Sequence, residues 1–241
     1  MRSLEDKTIV VFGGYGRLGS DLLPLLRARG AHVLAPPRTE VDISSPKVFP
    51  CISWWNPDIV INLAAYVNVP EAETFEGKKK CVQTNIHGSK NVCEAAHYFG
   101  AKVVYISTDY VYPGIVGDYD IEDANPQSSY GITKFVGEWF CDGEKDLVIR
   151  TSLKGRGTWG KNAFQKVFHP VYTNADWSDV IAEKITDAVS EGLTGVINLG
   201  TKRKLLRDLA REEYPEVESV DPNTLVFGYE YPIDSSMRLS N

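Results

Sequence analysis

The chain has 241 residues, 43% of them hydrophobic and 24% charged, enough to bury a substantial core in one or two globular domains. The net charge of −6 argues against nucleic acid as a partner, and the basic runs Lys78-Lys79-Lys80 and Lys202-Arg203-Lys204 are expected to be solvated surface. No apolar run reaches membrane-spanning length, Met1 to Lys7 is polar and unlike a secretion signal, and Cys51, Cys81, Cys93 and Cys141 show no C-x-x-C or zinc spacing, so a reduced cytoplasmic protein is expected.

The first predicted strand is Thr8 to Phe12, β-branched and apolar. It runs straight into Gly13-Gly14-Tyr15-Gly16-Arg17-Leu18-Gly19, and a helical pattern follows at Leu18, Leu22, Leu23, Leu25 and Leu26. Strand, glycine turn and helix form the setting of a dinucleotide fingerprint, in which residues without a Cβ let backbone N–H groups approach a pyrophosphate. The spacing is G-x-x-G-x-x-G (Gly13, Gly16, Gly19); a glycine-rich loop without a ligand is the plainer alternative.

Further strands are predicted at Ala31–Ala35, ended by Pro36-Pro37, and at Asp58–Leu63. Lys79–Phe99 has helical spacing, with an apolar stripe at Val82, Ile86, Val92, Ala95 and Ala96, and Gly100 closes it. A strand over Lys102–Ser107 follows, then a helix over Pro126–Phe140 capped by Ser128 or Ser129. A strand over Asp146–Arg150, a helix over Trp177–Glu191 and a strand over Gly195–Leu199 complete the alternation. Strands apolar on both faces, alternating with helices, predict an α/β, doubly wound parallel sheet built from 1–153 and about 178–200. Residues 154–177 and 201–241 break the pattern and are expected to form a small lobe over one end of the sheet, where such folds bind ligands.

Three clusters fall at predicted strand ends or helix starts: Asn62-Leu63-Ala64-Ala65-Tyr66, Ser107-Thr108-Asp109-Tyr110-Val111-Tyr112 and Tyr130-Gly131-Ile132-Thr133-Lys134. Tyr130 and Lys134 are four apart and share a helix face. A phenol titrates near ~10, and a neighbouring ammonium is expected to favour its phenolate and bring it nearer neutral pH. A Thr108 hydroxyl could hold a carbonyl oxygen near that phenol as hydride arrives. An exposed Tyr/Lys pair with no task is the common alternative for Y-x-x-x-K taken alone.

Taken together, these stretches resemble the extended short-chain dehydrogenase/reductases, and within them the dTDP-4-dehydrorhamnose reductases. The resemblance is carried by GGYGRLGSDLL, VDIS (Val41 to Ser44), DIVINLAAYVNVPEAE, TNIHGSKNV, VVYISTDYVYPG, SSYGITKFVGE and IRTS, and covers about the first 150 residues. It implies a Rossmann-type NAD(P)-binding domain with a shortened C-terminal substrate lobe. It implies Thr108, Tyr130 and Lys134 as the catalytic trio, with Tyr130 donating a proton as hydride reaches C4 of a nucleotide-linked 4-keto-6-deoxy sugar. Lys134 would also bind the nicotinamide ribose, with Tyr130 beside the cofactor. Gly13, Tyr15, Gly16, Arg17, Leu18 and Gly19 would line the pyrophosphate, and Asp42 and Ile43 would flank the adenine. Ala64, Ala65 and Tyr66 would pass along the cofactor, with Asn85 beside that strand end.

The second strand is followed by Arg38 with no carboxylate until Glu40, which favours NADP(H) over NAD(H), since an arginine can pair with a 2′-phosphate. The alternative is an Arg38 that only faces water. The segment 155–179 is shorter than the family's lobe, and Lys154 stands where an aromatic or aliphatic residue is expected. TNADWSDVIAEKI and PIDSSMRLSN still resemble the family's later segments. A sugar-nucleotide epimerase and a non-catalytic NADP-binding regulatory subunit are the alternative functions; a homodimer is compatible with either.

Smaller expectations complete the reading. His32, His87, His97 and His169 lack metal spacing and are expected to be packing or surface residues. One ring of Trp54-Trp55 is expected to pack and the other to face outward. Glu71, Glu73 and Glu76 read as a solvated acidic helix face. Asp109 is followed by Tyr110 rather than Glu, which disfavours dehydratase chemistry at that place.

Overall fold

The computed structural model describes residues 3–224 and 229–240; Met1, Arg2, residues 225–228 and Asn241, which fall within segments read above, lie outside the described residues. The elements run β1 (Thr8–Phe12), α1 (Arg17–Ala28), β2 (His32–Leu34), α2 (Val48–Trp55), β3 (Ile59–Asn62), α3 (Val69–Ala72) and α4 (Phe75–Cys81). A π-helical segment, Val82–Gly88, then leads into α5 (Ser89–Tyr98). Next come β4 (Lys102–Ile106), α6 (Ser129–Glu138), β5 (Leu147–Arg150), β6 (Leu153–Lys154), β7 (Lys166–Phe168), β8 (Tyr172–Thr173) and β9 (Asp176–Trp177). The chain closes with α7 (Ser178–Glu191), β10 (Gly195–Asn198), β11 (Lys204–Leu205), α8 (Leu206–Glu213) and β12 (Glu218–Val220).

Among the described residues, six strands make one wholly parallel sheet in the order β10-β5-β4-β3-β1-β2. Alternation along each strand sends side chains to opposite faces. Ile9 and Val11 of β1, Ile61 of β3 and Leu147 and Ile149 of β5 pack under Leu22 and Leu26 of α1 and Ile181 and Ile185 of α7. Val10, Phe12, Val60, Val103, Tyr105 and Val148 point the other way, onto Ile52 of α2 and Val92, Ala95 and Ala96 of α5. This is the expected doubly wound, Rossmann-like sheet. Counted along the chain, the order is 2-1-3-4-5-6 rather than 3-2-1-4-5-6, and it reverses between β1 and β3, which opens a crevice at their carboxyl ends.

The predicted stripe of Lys79–Phe99 is corrected in its first half. The π segment winds one residue more per turn than an α-helix, so the apolar face drifts off the core. Val82 is exposed, Ile86 is half-buried, and Asn85 is fully buried instead. Val92, Ala95 and Ala96 lie where expected.

The later residues supply a second core of Trp159, Val167, Val171, Trp177, Leu206 and Leu209. Lys202 and Arg203 are exposed, as expected; Arg203 also pairs with Asp234 and the half-buried Lys204 with Asp176, each at 2.7 Å, which ties this region together. Trp54 is 86% exposed while Trp55 packs against the second face of the sheet. No helix among the described residues is long and apolar enough to cross a membrane.

Candidate active site

The first side of the crevice is the β1–α1 turn. Gly13 has φ +80°, and a Cβ there would lie 2.7 Å from the Ala64 nitrogen. Gly16 donates its N–H to the Gly13 carbonyl at 2.9 Å and caps α1, whose first turn carries no acidic side chain. A Cβ on Gly19 would meet the Gly14 oxygen at 2.4 Å, so only glycine lets α1 pack on the turn. Tyr15 is 70% exposed, and Arg17 reaches across to Gly155, where a Cβ would come within 2.4 Å of its Nε. Leu18 is buried in the core, so only its backbone can face a ligand.

Beyond β2, Arg38 Nε donates to Asp42 Oδ2 at 2.9 Å, and Asp42 Oδ1 accepts from the Ser44 N–H and hydroxyl. Partial burial works to raise the Asp42 carboxyl, but these Ser44 and Arg38 bonds outweigh it and hold the group below the ordinary carboxylate value. Ile43 is turned into the core, where a Cβ on Gly88 would strike it. After β3, Asn62 Oδ1 accepts from the Ala64 N–H at 3.1 Å. Asn85 clamps Tyr66, accepting from its N–H at 2.8 Å and donating to its carbonyl at 3.2 Å. Its amide also donates to Thr133 Oγ1 at 3.1 Å, which fastens the β3 exit, with Ala65 in it, to α6.

The other side of the crevice is the β4 exit and α6. Ser128 caps α6 by accepting from the Gly131 N–H at 3.0 Å. A Cβ on Gly131 would lie 2.2 Å from the Tyr110 carbonyl, and one on Gly137 2.3 Å from the Tyr105 hydroxyl, so these glycines let α6 lie close against β4 and its continuation. That closeness brings Tyr130 to Thr108. Both side chains are buried, and Thr108 lies near enough to act on the phenol. Burial pushes the Tyr130 phenol up to about 12, with the Thr108 side chain acting in the opposite direction.

Lys134 differs from expectation. It lies on the predicted helix face and is 2% exposed, but its ammonium sits over the Tyr105 ring, 4.0 Å from the centroid. Burial pushes its amine down to about 7, opposed by the Glu138 carboxylate. The ammonium therefore does not bring the phenol toward neutrality; burial raises the phenol instead. Beneath them, Glu138 accepts from Ser107 and from both Nε and Nη2 of Arg150, and Arg150 also donates to the Tyr112 hydroxyl at 3.0 Å.

Two features went unread in the sequence. Glu73 is not part of a solvated face: its carboxylate accepts from the Ser129 N–H at 2.6 Å and hydroxyl at 2.8 Å, at the start of α6. Glu71 pairs with Lys80 and Glu76 with Lys79. The Tyr110 ring meets the Tyr130 ring edge-on at 5.7 Å and lines a shallow dent shared with Tyr112, Ser128, Tyr229 and Pro232. His97 bonds the buried Asp146 at 2.6 Å, and among the described residues no cluster of three or more His, Cys, Asp or Glu could hold a metal ion.

Comparison with known proteins places this arrangement. A dTDP-4-dehydrorhamnose reductase of Aggregatibacter actinomycetemcomitans is 33% identical over 183 residues, 73% of this chain and 61% of that protein. One from Streptomyces griseus is 38% identical over 132 residues, 54% of this chain and 43% of that protein. The matches thus span about half the length of these curated relatives. The crystal structure of a dTDP-4-dehydrorhamnose reductase from Clostridium acetobutylicum superposes with a TM-score of 0.82 at 26% identity, over 96% of this chain and 90% of that one. That of the Bacillus anthracis reductase, in complex with NADP, gives 0.84 at 24% identity, over 97% and 91%. The family model described as the RmlD substrate binding domain matches residues 7–186, and the chain belongs to that family.

Proposed function

We propose that this chain is an NADPH-dependent reductase of a nucleotide-activated 4-keto-6-deoxy sugar, with NADH as the weaker alternative. The observation that carries the reading is that the buried Tyr130 and Thr108 side chains come together at the β4 exit, across the crevice from a glycine turn without Cβ atoms at its closest approaches. The names of the related reductases and the NADP held by the B. anthracis enzyme support it. The residues fit a dinucleotide. The α1 N-terminus faces the crevice with unpaired N–H groups, and Arg38, 79% of whose side chain is exposed, is held only by an exposed pair to Asp42 that a 2′-phosphate can replace.

The cofactor would supply the hydride. Tyr130 would supply the proton: a phenol held near 12 keeps its proton at neutral pH and yields it only as a strongly basic alkoxide develops. Thr108 would steady the same oxygen, and Lys134 would meet the ribose. The open face of the crevice beside Tyr110, with residues of the later lobe, would take the sugar nucleotide.

The test is to mix the protein with NADPH and a dTDP-linked 4-keto-6-deoxy sugar and follow the absorbance of the reduced nicotinamide. Stoichiometric oxidation is expected. Product without net oxidation would point to an epimerase, and binding without turnover to a regulatory subunit; either result would overturn the proposal. Tyr130→Phe should lower kcat by roughly 10²- to 10⁴-fold and leave NADPH affinity nearly unchanged.

A further inference from the structure

Asp109 is a buried carboxylate beside the reacting groups for which the reading above has no task. Thr108 Oγ1 donates to its Oδ1 at 3.2 Å. Ser235, 126 positions later, donates its hydroxyl to Oδ2 at 2.7 Å. Ser152 and the Lys154 ammonium act on the carboxyl group electrostatically from nearby. The Asp109 N–H donates to the Thr151 carbonyl at 3.2 Å, which fixes the carboxylate from the β5 exit as well. The titratable groups around it are Lys154, Tyr130, Tyr110 and Tyr231. Burial raises the Asp109 carboxyl above its ordinary value, against the pull of Ser235, Lys154, Ser152 and Thr108.

A threonine hydroxyl has one hydrogen to give. While Asp109 is ionised, it holds that hydrogen, and Thr108 offers a lone pair to its other neighbours. Once Asp109 takes a proton from solvent, its own O–H can donate to Thr108. The threonine hydrogen is then free to turn toward Tyr130 or a substrate oxygen. We propose that Asp109 is a positioning residue: its carboxyl group, held by Ser235, sets the direction of the Thr108 hydroxyl hydrogen and so whether Thr108 can donate to the reacting oxygen. This rests on the reductase reading for its consequence, though not for the hydrogen bond itself. It also explains a lysine at position 154, where the resemblance led to an apolar residue: a buried carboxylate needs a cation near it.

The experiment has two arms. In the first, carboxyl-carbon NMR follows the Asp109 titration, assigned by the resonance lost in Asp109→Asn. Thr108→Val and Ser235→Ala should each raise its midpoint, because the ionised form loses a donor, and Ser235→Thr should restore it. Midpoints that stay put in both variants overturn the proposal, whatever the protein's activity. In the second arm, kcat and KM for NADPH oxidation by the 4-keto sugar are measured across the pH range in which the NMR arm shows Asp109 titrating. The expected kcat falls by about 10²-fold as Asp109 ionises, the cost of one lost oxyanion donor, at nearly constant KM. Asp109→Asn should flatten that limb, and Ser235→Ala should move it to higher pH. Should Asp109→Asn not fold for want of a partner to Lys154, the double variant with Lys154→Met replaces it. A limb unchanged in these variants overturns the proposal. Absence of turnover in the parent protein overturns the reductase reading alone, and the NMR arm still decides the hydrogen bond.

Discussion

Replacing Lys134 by methionine probes the electrostatics of the site directly. The amine titrates at about 7 in the folded protein against an ordinary 10.5 in the unfolded chain. Between those values the unfolded state binds more protons, so stability rises with pH across the window; below it, both states are charged and the whole penalty is present. At about 1.36 kcal/mol per decade the net penalty is roughly 4 to 5 kcal/mol. Lys134→Met keeps the length and packing and removes the charge. Urea unfolding at pH 7 should give the variant about 4 kcal/mol more stability than the parent, and at pH 10 less than about 1 kcal/mol more. A stability difference that is constant from pH 7 to 10 would refute the buried neutral amine. Turnover should be lost even as stability rises, as for a residue retained for chemistry rather than folding.

Gly19→Ala would press a Cβ to 2.4 Å from the Gly14 oxygen; a loss of roughly 1–3 kcal/mol in urea unfolding and at least about tenfold in NADPH affinity by fluorescence titration is expected. Arg38→Ala should raise KM for NADPH about tenfold and leave that for NADH alone, and equal effects on both would remove Arg38 from the 2′-phosphate. Asn85→Ala leaves the Tyr66 N–H and carbonyl unsatisfied; thermal unfolding should show about 1–3 kcal/mol lost, and a change under ~0.5 kcal/mol would contradict the clamp.

What was legible in the sequence was local. The β1 strand, its glycine turn and α1 follow from adjacent residues, as does Ser128 as the cap of α6, and the four-residue spacing puts Tyr130 and Lys134 on one face. What was not legible depends on partners distant in the chain. No neighbour of Lys134 in sequence reveals that Tyr105 lies under its ammonium. Glu73 serves a helix that begins 56 residues later, and Asp109 meets Ser235 only once the chain has returned over the sheet. The π segment is a third kind of miss: Val82 and Ile86 fit an α-helical stripe, and nothing in their spacing marks the widened turn that carries Asn85 inward.

The place of β10 has a consequence for biosynthesis. β10 pairs with β5, and α7 lies against α1, with Arg29 bonded to Asp187 at 2.7 Å across 158 positions. A nascent chain that has only just extruded β5 therefore exposes an unpaired strand edge and the apolar faces of Leu22 and Leu26. Those surfaces stay open while about 50 more residues emerge, on the order of 3–10 s at roughly 5–20 residues per second. Through that interval the half-built sheet is a candidate for chaperone capture or for pairing with a neighbouring chain on the same polysome.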